Sequence, residues 1–502
     1  MSRPRRLAWE CLAVFLSAAA LCAYFQFQTP FLPEEDGYYH LKLAWILRTR
    51  GLLRDGFPWA WFSLWREGFS DGSPLFHLWL LPFTFGDLAF GGKLATVLLS
   101  ALMFTSFYLI LALNEVRARL YWLWVLMLGG GYFWWRMLVP RPQVLSVLML
   151  LWSVHFLLNG RRKAFAAMSF LYPLSYVAAF LPQAFSVLRW AYLKAVEDRD
   201  ERGLVLAGFG AFLAAMLVHP YFPKNLTFFY VQNFYVMALA FTNKVNLYLG
   251  GEFFPLDTRQ FLSAHIVLVA HLGALAFVLL HRRAALSERT RALIPMAAVA
   301  VALTCGSKRF VEYSVPLCAL LAAFAFTDLF RGYGEEELRR DWGWAGQAGP
   351  FVLLAAMGLA SGVEARIVRA DFRGVKAPRF AALAKTLNER VPAGEIVYTC
   401  DWDEPPELFF YADRFRYPVI MDPTFMYYWD KSVWRKWSDL ANARLSPEQT
   451  RRTLAETFSA RFGLCSSKFA GLRGLIGQDR RFRVLAEDAN GFVFELTADH
   501  AR

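Results

Sequence analysis

Three carboxylates stand side by side at Glu34, Glu35 and Asp36, between Pro33 and the run Gly37-Tyr38-Tyr39-His40. Oxygen ligands set this closely suit a hard divalent cation, Mg²⁺ or Mn²⁺, of the kind that neutralises a phosphate leaving group. One carboxylate of the set would serve equally as general base on an acceptor hydroxyl. The plainer alternative is that Pro33 and the acids open a helix, whose N-terminus favours negative charge. Cations recur further along: Arg136 and Arg141 flank a short turn, and Lys308 with Arg309 precede the apolar run that begins at Phe310. A guanidinium at a membrane boundary either grips phosphate through paired hydrogen bonds or reaches toward headgroups and water. Acids and arginines gathered on one membrane face make a site for an anionic lipid.

The elements that must hold these residues are membrane helices. The chain is 57% apolar with a mean hydropathy of +0.31, which a single water-soluble core does not accommodate. Its net charge of +13 comes from short basic clusters between apolar stretches, the pattern that orients membrane helices, so nucleic acid is not expected as a partner. About eleven spans of roughly 15–20 residues fall near 8–27, 92–113, 120–135, 143–159, 164–177, 179–194, 203–219, 262–281, 292–306, 310–329 and 347–363. The run Leu7–Phe27 reads as a retained first helix. Placing Arg3/Arg5/Arg6, Arg117/Arg119, Arg161/Arg162/Lys163, Lys194/Arg199/Arg202, Arg282/Arg283/Arg289/Arg291 and Arg331/Arg339/Arg340 inside gives a consistent parity. The N-terminus is then cytoplasmic and the C-terminal part lies outside a plasma membrane of the bacterial inner-membrane type. Segments 28–91, 136–142 and 219–261 fall outside together. Leu75–Phe85 is expected to lie at the interface, since a span there would turn the arginine clusters outward. Pro173 and Pro182 imply broken or half-length helices in 164–194.

The expected division is a membrane domain over 1–365 and a soluble extracytoplasmic α/β domain over 366–502. In the latter, strand-like 395–400, 417–421, 461–466 and 482–496 alternate with helix-like 379–389, 425–443 and 447–459. Asn490–Gly491 reads as a hairpin turn. Cys400 and Cys465 are candidates for a disulfide if this domain faces an oxidising compartment.

Two stretches resemble a known family. Residues 35–47, EDGYYHLKLAWIL, resemble the first-loop acidic motif of the bacterial and archaeal single-subunit oligosaccharyltransferases, and residues 309–321, RFVEYSVPLCALL, resemble their late Arg-Phe-x-x-Tyr-x-x-Pro stretch. Those enzymes belong to the GT-C class of polytopic glycosyltransferases, which use polyprenyl-phosphate-linked sugars. The resemblance implies a GT-C-like fold and a sugar donor on a polyprenyl (pyro)phosphate. It implies that Asp36, with Glu35 beside it, is metal ligand or catalytic residue, and that Arg309, with Lys308 beside it, contacts donor phosphate. The family's second external loop carries acids for the metal, whereas WWRMLVPRPQ at 134–143 carries none. Arg136 and Arg141 would there neutralise phosphate in place of an ion, which would leave Asp36 to act as base. Loop 219–261 corresponds to a mobile loop that closes over the acceptor, with Glu252 after Gly250-Gly251 as its acid. The family's Trp-Trp-Asp-Tyr-Gly signature is missing. Asp401, Trp402 and Asp403 stand at a similar strand-to-helix corner and are the acceptor-side candidates, with the acceptor itself undefined. Two other classes fit the same charges: a transporter or flippase for an anionic lipid-linked sugar, in which they line a pathway, and a non-catalytic receptor.

Overall fold

The computed structural model describes residues 3–242, 247–248, 250–282, 286–331 and 335–497. Arg283 and part of segment 219–261 lie outside them. The chain is mostly helical and divides into two compact units, one of Met1–Thr29, Lys93–Ala215 and Gly250–Gly374, the other of Pro30–Gly92, Met216–Leu249 and Val375–Arg502.

In the first unit, helices follow the apolar runs but are often shorter than a span. Across the described chain, Pro4–Gln26, Leu88–Leu113, Lys308–Leu329 and Ala348–Arg373 are each long and apolar enough to cross a membrane, and two bent pairs raise the number to six. Those pairs are Gly131–Leu138 with Gln143–Leu158, bent by 104°, and Thr258–Ala264 with Ile266–Leu280, bent by 83°. The run expected as one span at 120–135 is two helices, Arg119–Met127 and Gly131–Leu138. The break falls at Gly130, whose φ of 100° suits glycine, and a Cβ there would meet the Ala264 carbonyl oxygen at 2.6 Å. The 104° bend has a local cause as well. Val139 precedes Pro140 and is extended (φ −91°, ψ 141°), as a residue before proline prefers. The stretch 164–194 is broken, with helices Arg162–Leu171 and Leu181–Val196 and a single turn Tyr172–Leu174 among the residues between.

The second unit joins Pro30–Gly92 to the C-terminal residues in one core. Helix Glu35–Arg50 carries acids in its first turn and arginines in its last, matching its dipole, and buries Tyr38, Tyr39, His40, Leu41, Leu43 and Ile46. Leu75–Phe85 forms a seven-residue helix, Pro74–Leu80, and a turn, Leu81–Thr84. Phe57, Trp59, Trp65 and Phe69 pack with Phe409 and Phe425. Trp61 and Tyr417 extend this with backbone bonds, Trp61 N–H to the Tyr417 carbonyl and Tyr417 N–H to the Trp59 carbonyl, both 2.8 Å.

The sheet holds β1 (Val397–Thr399), β2 (Phe462–Ser466), β3 (Phe482–Glu487) and β4 (Gly491–Leu496) in the order β1-β2-β4-β3. β1 and β2 are parallel and the other pairs antiparallel. Cys400, just past β1, and Cys465 on β2 form a disulfide with Cα atoms 5.1 Å apart. The expected strand at 417–421 is absent as a strand, because Pro418 has no amide hydrogen to donate; isolated bridges at Arg416 and Tyr417 remain. Asp430 splits the helix expected at 425–443 and caps its second half by accepting from Ser432 N and Val433 N. The hairpin turn is centred one residue before the expected pair: Asp488 Oδ1 accepts from Asn490 N and Gly491 N, and Gly491 already pairs with Ser466.

Candidate functional site

Arg136, Arg141, Glu252, Lys308 and Arg309 all belong to the first unit, and the structure brings four of them together. Arg136 ends the helix Gly131–Leu138, and Arg141 sits on the corner that follows, held between Pro140 and Pro142. Gln143 Nε2 bonds the Arg136 carbonyl at 2.9 Å and fixes the corner. Glu252 Oε2 lies 2.6 Å from Arg136 Nη1 and 3.3 Å from Arg141 Nη1, while its Oε1 is 3.4 Å from Arg141 Nη2 and 3.8 Å from Arg309 Nη1. The other side of Arg136 meets Glu312, whose Oε2 is 2.8 Å from Nε and 2.6 Å from Nη2. Three guanidiniums thus face two carboxylates, which leaves one net positive charge.

Burial separates the members of this cluster. The Arg136 and Glu312 side chains are 2% and 1% exposed, so that pair is internal. Arg141, Glu252 and Arg309 are 14%, 19% and 17% exposed and open outward. Arg309 donates to the Tyr176 hydroxyl at 2.9 Å, and its guanidinium lies over the Phe253 ring. Lys308 points elsewhere, over the Tyr132 ring. The segment carrying Glu252 is pinned by backbone: Ser307 Oγ donates to the Glu252 carbonyl at 2.8 Å, and Lys308 N to that of Phe254 at 3.0 Å. Burial pushes the Glu252 carboxyl toward its neutral form, but Arg141, Arg136 and Arg309 outweigh this and hold its pKa well below the ordinary value. Glu252 is therefore an anion in a cationic nest. Glu312 and Tyr176 were not singled out in the sequence; the legible signal for Glu312 was its place three residues after Arg309 in the first turn of a helix.

Glu35, Asp36, Asp401, Trp402 and Asp403 belong to the second unit. Glu35 Oε1 is 3.4 Å from Arg379 Nη2, which is 3.6 Å from Asp403 Oδ2. Lys468 joins Asp403, at 3.7 Å, to Asp401. Glu35 is thereby linked to the corner that follows β1, through two cations that sequence spacing does not reveal. Burial raises the pKa of Glu35 against the pull of Arg379, and burial with Asp403 raises that of Asp401. Trp402 donates its indole N–H to the Tyr248 carbonyl at 2.9 Å. Beneath the corner, Glu404 accepts from the amides of Cys400, Asp401 and Ser466 at 2.9, 3.1 and 2.7 Å. Glu407 accepts from Arg379 N and Phe380 N. Burial pushes Glu404 up to about 8 and Glu407 up to about 7. Asp36 stands in the first turn of the helix Glu35–Arg50, half-buried.

Among the described residues no three of His, Cys, Asp and Glu converge as a group that could hold a metal ion. Glu252, Glu312, Glu35, Asp401, Asp403, Glu404 and Glu407 are each engaged by a guanidinium, a lysine or backbone amides. The first unit also holds an apolar cavity of about 550 Å³ bordered by Tyr121, Trp122, His271, Phe326 and Phe330, which shares no residue with the arginine cluster.

Comparison of structures finds this fold, at low sequence identity, in solved oligosaccharyltransferase and ArnT structures. The apo oligosaccharyltransferase of Archaeoglobus fulgidus matches with a TM-score of 0.64 at 13% identity, over 91% of this chain and 69% of that one. Oligosaccharyltransferase AglB of the same organism, in complex with an inhibitory peptide and a dolichol-phosphate, gives 0.65 at 13%, over 93% and 70%. ArnT from Cupriavidus metallidurans bound to undecaprenyl phosphate gives 0.58 at 13%, over 97% and 98%. No family model and no curated protein sequence matches the chain.

Proposed function

We propose that this protein is a membrane glycosyltransferase that moves a sugar or glycan from a polyprenyl-(pyro)phosphate donor to an acceptor at the outer face of the membrane. The observation that carries the reading is the nest of Arg136, Arg141 and Arg309 around the Glu252 carboxylate. Guanidiniums that hold a carboxylate in this way also fit phosphate oxygens. Two structural neighbours hold a polyprenyl phosphate, dolichol-phosphate in one and undecaprenyl phosphate in the other, which supports that donor class. Arg309 and Arg141 grip donor phosphate, Arg136 backs them, and Asp36 takes the proton from the acceptor as its oxygen displaces the phosphate in one inverting step.

The test uses the full chain in lipid nanodiscs with undecaprenyl phosphate as probe. Wild type should bind it, and R309A or R141A should bind at least tenfold more weakly; equal binding by all three would remove the donor site. Proteoliposomes supplied with an undecaprenyl-phosphate-linked sugar should yield a covalent product that D36A fails to make. Sugar lipid that crosses the bilayer with no product formed would instead make the nest part of a transport pathway.

A further inference from the structure

A second buried chain of titratable groups runs through the second unit. Asp71, His77 and His40 are 2%, 1% and 7% exposed. Asp71 Oδ1 accepts from Ser73 N at 2.9 Å, and its Oδ2 lies 2.7 Å from His77 Nδ1. His77 Nε2 in turn lies 2.9 Å from His40 Nδ1, and Phe76 packs edge-on against the His40 ring. With Asp71 ionised, His77 donates from Nδ1. A neutral His77 then accepts at Nε2, so His40 donates from Nδ1 and its own Nε2 is the far end of the chain. A proton added at that end moves along: His40 passes its Nδ1 proton to His77, and the positive charge comes to rest beside the Asp71 carboxylate. His40 follows Asp36 by four residues in the helix Glu35–Arg50, so the two lie on one helix face a turn apart.

We propose that Asp71, His77 and His40 form a proton relay that serves Asp36 during transfer. This rests on the transferase reading. The acceptor O–H gives its proton to the Asp36 carboxylate as its oxygen bonds the anomeric carbon, and the sugar–phosphate C–O bond breaks to release polyprenyl (pyro)phosphate. Asp36 hands the proton to His40 Nε2, His40 hands its Nδ1 proton to His77, and Asp36 is an anion again for the next turnover. The held proton later returns to water. Asp71, His77 and His40 are positioning residues in this scheme, because they act through Asp36. Tyr39, Tyr221, His219, Asp36 and Arg54 are the titratable groups that surround this chain. Burial raises Tyr39 and Tyr221, and Asp71 adds to both, with Asp36 also acting on Tyr39. Burial lowers His219, and Asp71 opposes it; Arg54 acts on Tyr221.

Two measurements on the full chain in nanodiscs test this. In ¹⁵N-histidine spectra of the protein, which has eight histidines, the signals assigned by loss in H40Q and H77Q should titrate as a pair sharing one proton, and D71N should move that step down by a pH unit or more. Independent titration of the two rings, or no response to D71N, overturns the relay. In the transfer assay with an undecaprenyl-phosphate-linked sugar, the wild-type rate should fall at acidic pH, where the relay is already filled. D71N and H77Q should lower kcat at least tenfold and displace that acid limb, with KM for the donor unchanged. Folded variants that keep the wild-type pH profile in an active protein overturn the relay and leave the transferase reading standing. A paired titration in a wild type that makes no product does the reverse: the proton chain stands and the transferase reading falls.

Discussion

The arginine nest of the first unit and the acidic corner of the second hold carboxylates in opposite ways. Glu252 is held by side-chain charges, Arg136, Arg141 and Arg309, at a partly open surface. Glu404 is held by three backbone amides in full burial. A side-chain nest can trade one anion for another, because the incoming phosphate offers the same oxygens. An amide cradle has no such freedom, because its donors are fixed by the backbone of the corner after β1 and of β2. Under the proposed function the exchangeable nest is the donor-binding element, whereas the amide cradle is architecture, even though it holds more acids in its neighbourhood.

The largest effect that sharpens this contrast lies at its boundary. Arg136→Ala would leave Glu312 buried and unpaired, so it should destabilise the protein by about 4 kcal/mol. The thermal midpoint of the purified protein should fall steeply, and an unchanged midpoint would place Arg136 among the exchangeable charges. Glu404→Gln turns an amide nitrogen toward N–H donors and should cost about 3 kcal/mol; a variant as stable as wild type would show that the cradle is not structural. By contrast Glu252→Gln should tighten undecaprenyl phosphate binding about tenfold, or 1.4 kcal/mol, because the nest loses its resident anion. Weaker binding would make Glu252 part of the lipid's own contacts. Arg141→Ala should alter stability by less than about 1 kcal/mol, since its partner remains paired to Arg136 and Arg309. The smallest effect concerns pH. Glu404 and Glu407 have raised folded pKa values, about 8 and about 7, so their contribution is complete below the ordinary glutamate pKa and is lost as pH rises through those values. The thermal midpoint should therefore decline from pH 5 to 8, and Glu407→Gln should flatten the part of the slope near pH 7.

The same contrast explains what could be read from the sequence. Apolar runs and basic clusters mark membrane helices, and alternation marks β2, β3 and β4, because both follow from neighbours along the chain. Arg136, Arg141 and Arg309 were legible as phosphate-binding candidates from residue type and position at apolar boundaries, and Glu252 as a loop acid through motif likeness; these four of the unit's five candidates converge. Glu312, Arg379 and Lys468 were not legible: their partners lie far off in sequence and are chosen by packing. The helix break at Gly130 depends on the close approach of Ala264, which apolarity alone does not report, whereas the break near Pro140 falls in the expected segment 136–142. The chain from Asp71 to His40 joins the segment around Pro74–Leu80 to the helix Glu35–Arg50, a pairing that leaves no periodic trace in the sequence.

The bond between Cys400 and Cys465 gives the molecule a built-in compass. Such a link persists outside the reducing cytosol and is opened within it. Thiol-reactive mass tags applied to unreduced cells would therefore leave these two cysteines unlabelled if the last quarter of the chain has been exported, and would mark both if it has not. The orientation of every helix before it could then be read from a gel.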